Sequence, residues 1–192
     1  QDYYDSGGWK GTIALDGGGA LMNQGIHAVD LLLWLMGPVA RVHARTKILG
    51  HERIEVEDTA VATLEFENGA LGVIEGSTAT YPGLLKRVEI SGTAGTAVIE
   101  EEDLRTWQFA EEGPEDDEIR HAYSAATSSG GGVSDPMAID TTAHARQLAD
   151  FVDAIEHGRP PEVDVHEARR AVDLILAVYE SARTGRSVEV GS

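Results

Sequence analysis

Three polar side chains stand at helical spacing in the apolar segment formed by residues 17–37. Asn23, His27 and Asp30 are separated by four and three residues, so a helix would place them in one row, which Trp34 continues. An imidazole titrates near neutral pH and can take a proton from an alcohol. An amide and a carboxylate one turn away can hydrogen-bond neighbouring hydroxyls. The row therefore predicts a site for a polyol or sugar, with His27 as the acid/base and Asn23 beside it.

The same spacing also has a purely structural interpretation. A histidine beside an apolar face can be a core or boundary residue, and Asp30 can pair with it or cap the helix. The three glycines at 17–19 would let a substrate or cofactor approach the backbone closely, but they lack the G-x-G-x-x-G spacing of a dinucleotide-binding loop. Spacing alone leaves both interpretations open.

Aromatic residues outside this row are further candidates for substrate contact. Trp9, with Tyr3 and Tyr4, could line a sugar pocket or form an interdomain contact, and Tyr81 ends a predicted strand on what could be the pocket side. His144 begins a later helix and could reach the site or pack. The remaining histidines are expected to be scattered surface residues: His43, His51, His121, His157 and His166. No set of residues has metal-ligand spacing, so no metal is predicted.

The elements that must position these residues follow from hydrophobic periodicity. A helix is predicted from residue 18 or 19 to Met36, where Gly37 and Pro38 end it. Six alternating segments joined by short turns then predict antiparallel strands within residues 39–110. An acidic and Gly/Ser-rich loop is predicted over residues 111–136, and two helices over residues 141–157 and 165–184. Residues 187–190 could form a closing strand.

Together these elements predict an α+β fold with one open, mainly antiparallel sheet and helices on one face. Residues 1–16 show no periodicity and are expected to be a loop or a short extended piece. The 192 residues suit a single domain. In the second strand, side chains alternate between the two faces of the sheet. The helix-covered face is expected to carry Ala60, Ala62, Leu64 and Phe66, and the opposite face Thr59, Val61, Thr63 and Glu65.

The composition limits the classes of function. Lys and Arg total 15 against 33 acidic residues, a net charge of −18, so binding to nucleic acid is not expected. With only three lysines, such a chain suits a salt-rich cytoplasm, as in a halophilic source. No apolar run is long enough to span a membrane, and the absence of cysteine fits a reducing cytoplasm.

The segment GGGALMNQGIHAVDLLLWLMGPV resembles the signature of the Gfo/Idh/MocA oxidoreductases, the glucose–fructose oxidoreductase and inositol dehydrogenase family. The preceding YYDSGGWKGT, the sheet segments FENGALGVIEGS and RVEISGTAGTAVIE, and the C-terminal segment from residue 143 are similar to it as well. The resemblance covers essentially the whole chain. It implies the substrate-binding C-terminal domain of the family, with an open antiparallel sheet like that of the glyceraldehyde-3-phosphate dehydrogenase C-terminal domain.

The resemblance also implies an activity, which is hydride transfer between a sugar or polyol carbon and NAD or NADP. His27 matches the family's catalytic histidine, whereas Asn23 stands where an aspartate is usual, so Asn23 can orient a group but cannot relay a proton. Asp30 matches a position that can face the substrate. The family's N-terminal Rossmann domain has no counterpart in this sequence, so the chain alone is expected neither to bind NAD(P) tightly nor to turn over.

The family resemblance also implies pairing through the sheet. We therefore expect a homodimer or homotetramer formed by the sheet face that the helices leave uncovered. The alternative, from another class, is a non-catalytic dimerisation domain that has kept the fold. The two interpretations differ at His27, which an enzyme needs in reach of solvent and a scaffold could bury.

Overall fold

The computed structural model describes residues 1–101, 103–123 and 142–191, and these residues form two compact units. One unit comprises Gln1–Pro82 with Arg146–Ser192, and the other comprises Gly83–Ala145. The expectation of a single domain stays a prediction. In chain order the elements are α1 (Asp2–Asp5), α2 (Ile13–Asp16), a π-helical turn (Leu21–Gly25), α3 (Ile26–Met36), β1 (Val39–Lys47), β2 (Thr59–Phe66), β3 (Leu71–Ser77), β4 (Arg87–Ser91), β5 (Gly95–Glu100), β6 (Asp103–Phe109), α4 (Pro114–Tyr123), α5 (Thr142–His157), α6 (Val165–Thr184) and β7 (Val188–Glu189).

The first unit is built on a four-stranded antiparallel sheet in the order β3-β2-β1-β7. Alternate residues of β2 are buried, which confirms the predicted division of its side chains between two faces. Helices α3 and α6 cover the inner face with fully buried aliphatic residues such as Leu174 and Val178. Each such side chain contributes about 1.5–3 kcal/mol on burial. The core of this unit therefore lies between one sheet face and the helix that carries His27.

The α+β class is confirmed, but the expectation that all strands form one sheet is wrong. Strands β4, β5 and β6 make a separate three-stranded antiparallel sheet in the second unit. Pro82 and Gly83 lie between β3 and β4, and a proline cannot donate a ladder hydrogen bond. Alternation identified each strand, but it carries no information on which strand is its neighbour.

Two segments predicted to be irregular contain helices. Residues 1–16 include α1 and α2, and α4 occupies part of the predicted acidic loop. Helix α4 begins at a proline, has acidic residues in its first turn and has Arg120 and His121 in its last, which suits the helix dipole. Asp116 in its first turn accepts the indole N–H of Trp107 at 2.7 Å. The Gly/Ser-rich part of the predicted loop lies outside the described residues.

The C-terminal elements follow the predicted bounds closely. Asp164 caps α6 by accepting the backbone amides of His166 and Glu167, and Gly185 ends the helix in the left-handed conformation. The closing strand is present as β7, which pairs with β1. Helix α5 contributes little to the core. Among its described side chains Ala154 is buried, whereas four apolar ones are more than half exposed: Leu148, Phe151, Val152 and Ile155. Within the described ranges, no helix is both long and apolar enough to cross a bilayer.

Candidate functional site

The helix that carries the polar row begins with a π-helical turn. The amide of Gly25 donates to the carbonyl of Ala20 at 2.8 Å, five residues back, and regular α-helix starts only at Ile26. A side chain at position 25 would have its Cβ 3.0 Å from the Ala20 oxygen, so glycine suits this close approach. Such wide turns are frequent at functional sites. Asn23 lies inside the turn, and His27 lies just after it.

His27 is exposed on α3, together with Asp30 and Trp34. Among the described residues, the imidazole makes no hydrogen bond or ion pair. Its position is therefore not that of a buried, bonded core histidine. The side chain can therefore meet a ligand from the solvent side.

Asn23 is half-buried and is turned toward the N-terminal segment. Its Nδ2 group donates to Asp16 Oδ1 at 3.3 Å and approaches the Tyr3 hydroxyl at 3.5 Å. The other carboxylate oxygen of Asp16 accepts the amide of Gly11 at 2.8 Å. Asp16 thus connects Asn23 to the backbone ahead of the glycines, a role that the sequence analysis missed. The only sequence signal was its place directly before Gly17.

The aromatic candidates are distributed over different surroundings. The Tyr3 and Tyr4 rings meet edge to face at 5.2 Å, and Lys10 Nζ lies 4.1 Å from the centroid of the Tyr3 ring. Tyr4 packs against the ring of His51 at 4.8 Å, so it faces a loop that follows β1. Trp9 is about half exposed, at 47%. Of the three, Tyr3 is the one in contact with the polar row.

Tyr81 is 98% exposed, and no contact in the described structure joins it to the polar row. His51 corrects one expectation, because its side chain is only 11% exposed and lies 3.3 Å from Asp58. The other histidines expected at the surface are exposed: His43, His121, His157 and His166. The side chain of His144, at the start of α5, is exposed as well.

A buried carboxylate that the sequence analysis missed holds the start of the helix. Glu57 is 8% exposed, and its two oxygens accept the amides of Gly19 and Leu21, each at 3.0 Å. Its backbone carbonyl accepts the amide of Ala20 at 2.9 Å. Free amides at a helix start favour a negative partner. The glycine run is therefore fixed to the entry of β2, and the polar row starts from a rigid point.

Tyr179 of α6 completes this anchor. Its hydroxyl donates to Glu57 Oε1 at 2.9 Å. Burial, together with the nearby charge and hydrogen bond of Glu57, raises the pKa of the Tyr179 phenol, so the hydroxyl stays a donor. A Cβ at position 18 would lie 2.5 Å from this hydroxyl, which explains why the segment is glycine there.

The next residue, Asp58, is fully buried and organises the loop between β1 and β2. Its carboxylate accepts the amides of Leu49, Gly50 and His51 at 2.8–3.0 Å and the Thr59 hydroxyl at 3.0 Å. Burial alone would raise the pKa of Asp58, but these hydrogen bonds outweigh it and lower the pKa to about 2.

The same loop also holds the N-terminal segment. Glu55 accepts the amide of Ile13 at 3.0 Å, and its own amide donates to the Gly11 carbonyl at 2.8 Å. Arg53 pairs with Asp5 at 2.8 Å. The position of the aromatic segment that borders Asn23 therefore depends on the loop that Asp58 organises.

No group of side chains in the described ranges could hold a metal ion. A cavity of about 390 Å³ lies between α5 and the residues around Pro161, and another of about 340 Å³ lies on the outer sheet face beside His43 and Thr63. Neither cavity includes His27. His27 instead lies on an open surface of its unit, together with Asp30 and Trp34.

Comparison with known proteins supplies a family context for this surface. The family profile described as "Oxidoreductase family, C-terminal alpha/beta domain" matches residues 1–190. The solved structure of the WlbA dehydrogenase from Bordetella pertussis, in complex with NADH and UDP-GlcNAcA, superposes with a TM-score of 0.83 at 36% identity. That match covers 100% of this chain and 53% of the WlbA chain.

Two curated relatives are similar over most of this chain. The myo-inositol 2-dehydrogenase of Thermotoga maritima is 28% identical over 177 residues, which is 90% of this chain and 49% of that protein. The D-xylose 1-dehydrogenase (NADP(+)) 2 of Haloferax volcanii is 28% identical over 173 residues, which is 90% of this chain and 48% of that protein. The chain thus spans about half the length of the relatives it matches.

Proposed function

We propose that this chain, which belongs to the Gfo/Idh/MocA oxidoreductase family as its C-terminal α/β domain, is the substrate-binding half of an NAD(P)-dependent dehydrogenase of sugars or polyols. The observation that carries the proposal is the exposure of the His27 side chain and its lack of bonding partners among the described residues. This imidazole is exposed and unbonded within the described residues, on a helix whose start is fixed by Glu57. The sugar- and inositol-dehydrogenase names of the relatives support the substrate class.

In the proposed reaction His27 handles the proton. Its imidazole takes the proton of the substrate hydroxyl as the hydride leaves the carbon that bears this hydroxyl. In the reverse direction the imidazole returns the proton. Asp30, one turn further on, presents a carboxylate that can accept a hydrogen bond from a neighbouring hydroxyl. Asn23 has mainly a positioning role, because its amide nitrogen already donates a hydrogen bond to Asp16.

The nicotinamide of NAD or NADP supplies the hydride chemistry when the cofactor is bound. The residues of this chain do not form a binding site for the dinucleotide, since the sequence contains no G-x-G-x-x-G segment. Every pairing in the two described sheets is antiparallel, so the strand–helix–strand unit of a dinucleotide site does not arise from them. We assign cofactor binding to another part of the enzyme and expect no activity from this chain alone.

The test is the His27→Ala variant of the full-length enzyme. We expect turnover to fall by about 100-fold or more, the usual scale for loss of a general acid/base. Stability should change little, because the side chain is exposed. His166→Ala, which removes an exposed histidine from α6, is the matched control and should keep normal turnover. Near-normal turnover of His27→Ala together with earlier melting would mean that His27 has a structural role.

Assembly through the outer face of the first sheet is a second proposal. Val61, Leu71 and Val73 are exposed on that face by 45%, 80% and 65%. Exposed apolar side chains on one sheet face favour an interface between copies related by a two-fold axis. The charge of −18 opposes association, so salt should tighten the dimer.

Sedimentation at low and high salt measures this association. We expect Val73→Lys to weaken the dimer by about tenfold or more, since a charge would be buried at the interface. Val163→Lys makes the same change at an exposed residue before α6 and should have no effect. A chain that is monomeric at both salt concentrations would contradict the proposal.

A further inference from the structure

We propose that Lys10 binds an anionic group of the substrate, a carboxylate or a phosphate carried by the sugar on which His27 acts. This inference rests on the proposed function and narrows it from sugars or polyols in general to those that carry a negative charge. It depends on how the fold holds the Lys10 ammonium and on which residues border it.

Lys10 lacks an acidic partner, although the chain is strongly acidic. The sequence has 33 acidic residues against 15 basic ones, of which only three are lysines. Most arginines of the described residues form ion pairs, and Lys86 pairs with Glu101 at 3.5 Å. Lys10 makes no ion pair within the described ranges. A positive charge is thus left uncompensated at this point of the surface.

Neutral groups hold the ammonium of Lys10 in place. Its Nζ donates to the Ser6 hydroxyl at 2.8 Å and lies 4.1 Å from the Tyr3 ring centroid and 5.8 Å from that of Trp9. Aromatic faces attract a cation without neutralising it. An ammonium has three N–H donors, so donors remain for a ligand. The side chain is half-buried, which limits its motion in solvent.

Tyr3 connects this cation to the polar row. The same residue that faces Lys10 with its ring has its hydroxyl 3.5 Å from Asn23 Nδ2, one turn before His27. The carboxylate bonded to Asn23, that of Asp16, also accepts the Gly11 amide. Lys10 is therefore a free cation at the border of the proposed site, where it can hold a negative group of the sugar.

The experiment measures the affinity of the full-length enzyme for glucose, glucuronate and glucose 1-phosphate by calorimetry. We expect at least one of the two anions to bind about tenfold or more tightly than glucose, because it gains a charge-assisted hydrogen bond. The two anions separate a carboxylate site from a phosphate site. Lys10→Met should abolish the preference while leaving the affinity for glucose unchanged, and Lys10→Arg should retain most of it.

Lys47→Met is the matched control, since it removes an equal charge from the exposed face of β1, away from α3, and should keep the preference. Equal affinity for glucose and both anions would overturn the inference and leave the proposed function intact. A Lys10→Met variant that melts earlier and also loses its affinity for glucose would overturn the inference as well, because Lys10 would then only support Tyr3. Failure to bind any of the three sugars would count against the proposed function itself, and with it this inference.

Discussion

Gly19→Ala is expected to lower the free energy of unfolding by at least about 4 kcal/mol, near the top of the range for single substitutions. The added Cβ would overlap the backbone carbonyl of Glu57 and lie 2.7 Å from its Oε2. Neither group can move away cheaply, because the carbonyl accepts the amide of Ala20 and the carboxylate accepts those of Gly19 and Leu21. The glycine run and the entry of β2 would have to separate.

Thermal denaturation followed by circular dichroism measures this effect. For a chain of this size we expect Tm to fall by about 10 °C or more. Gly8→Ala is the matched control, because a Cβ there meets nothing within 4 Å, and it should leave Tm nearly unchanged. Equal Tm values for the two variants would show that the contact between Gly19 and Glu57 does not form in solution.

The second large effect is expected for Asp58→Asn, which should cost about 3 kcal/mol of stability. The carboxylate accepts three backbone amides and a hydroxyl in a site with no solvent access. An asparagine would keep one acceptor, but its NH₂ group would face amide donors. The loop would lose its organisation, and with it the support of the N-terminal segment through Glu55.

This cost should depend on pH. The pKa of Asp58 is lowered from 3.8 to about 2 in the folded chain, which corresponds to about 2 kcal/mol. Because the folded pKa lies below the unfolded one, the stabilisation is complete above about pH 5 and is lost as pH falls from about 4 towards 2. The difference in stability between wild type and Asp58→Asn should shrink over that interval.

Denaturant titrations at pH 7, 4 and 2.5 measure the difference. Asp2→Asn removes an exposed carboxylate and should behave like wild type at each pH. A stability difference that stays constant from pH 7 to 2.5 would show that the buried carboxylate does not titrate as described.

The parts of the fold that follow local rules could be predicted from sequence. Helix α6 has the predicted bounds because Gly185 and an apolar stripe are local signals, and the alternation in β2 separated its two faces correctly. Helix α4 was missed because an acidic run was interpreted as a loop, although Pro114 and the acidic first turn are signals for a helix start.

The parts that depend on distant partners could not be predicted. Glu57 lies 38 residues from Gly19 and 122 residues from Tyr179, so a single sequence gives no sign that these residues meet. The same limit applies to His51, which was expected at the surface but packs against Tyr4. Periodicity located His27 on an exposed helix face, but it could not show that Asn23 is bonded to Asp16.

The wide turn at residues 21–25 has a consequence for how sequences of this kind are aligned. The helix is fixed at both ends, by Glu57 at Gly19 and by the packing of Val29 and Leu33 in the core. Each residue of an α-helix advances the phase by about 100°, so one residue more or fewer in the turn would change the phase of one fixed point relative to the other. A chain one residue shorter would form an ordinary turn between the same points. The residue four places before its histidine would then occupy a different place in space, and counting back from the histidine would not identify the counterpart of Asn23.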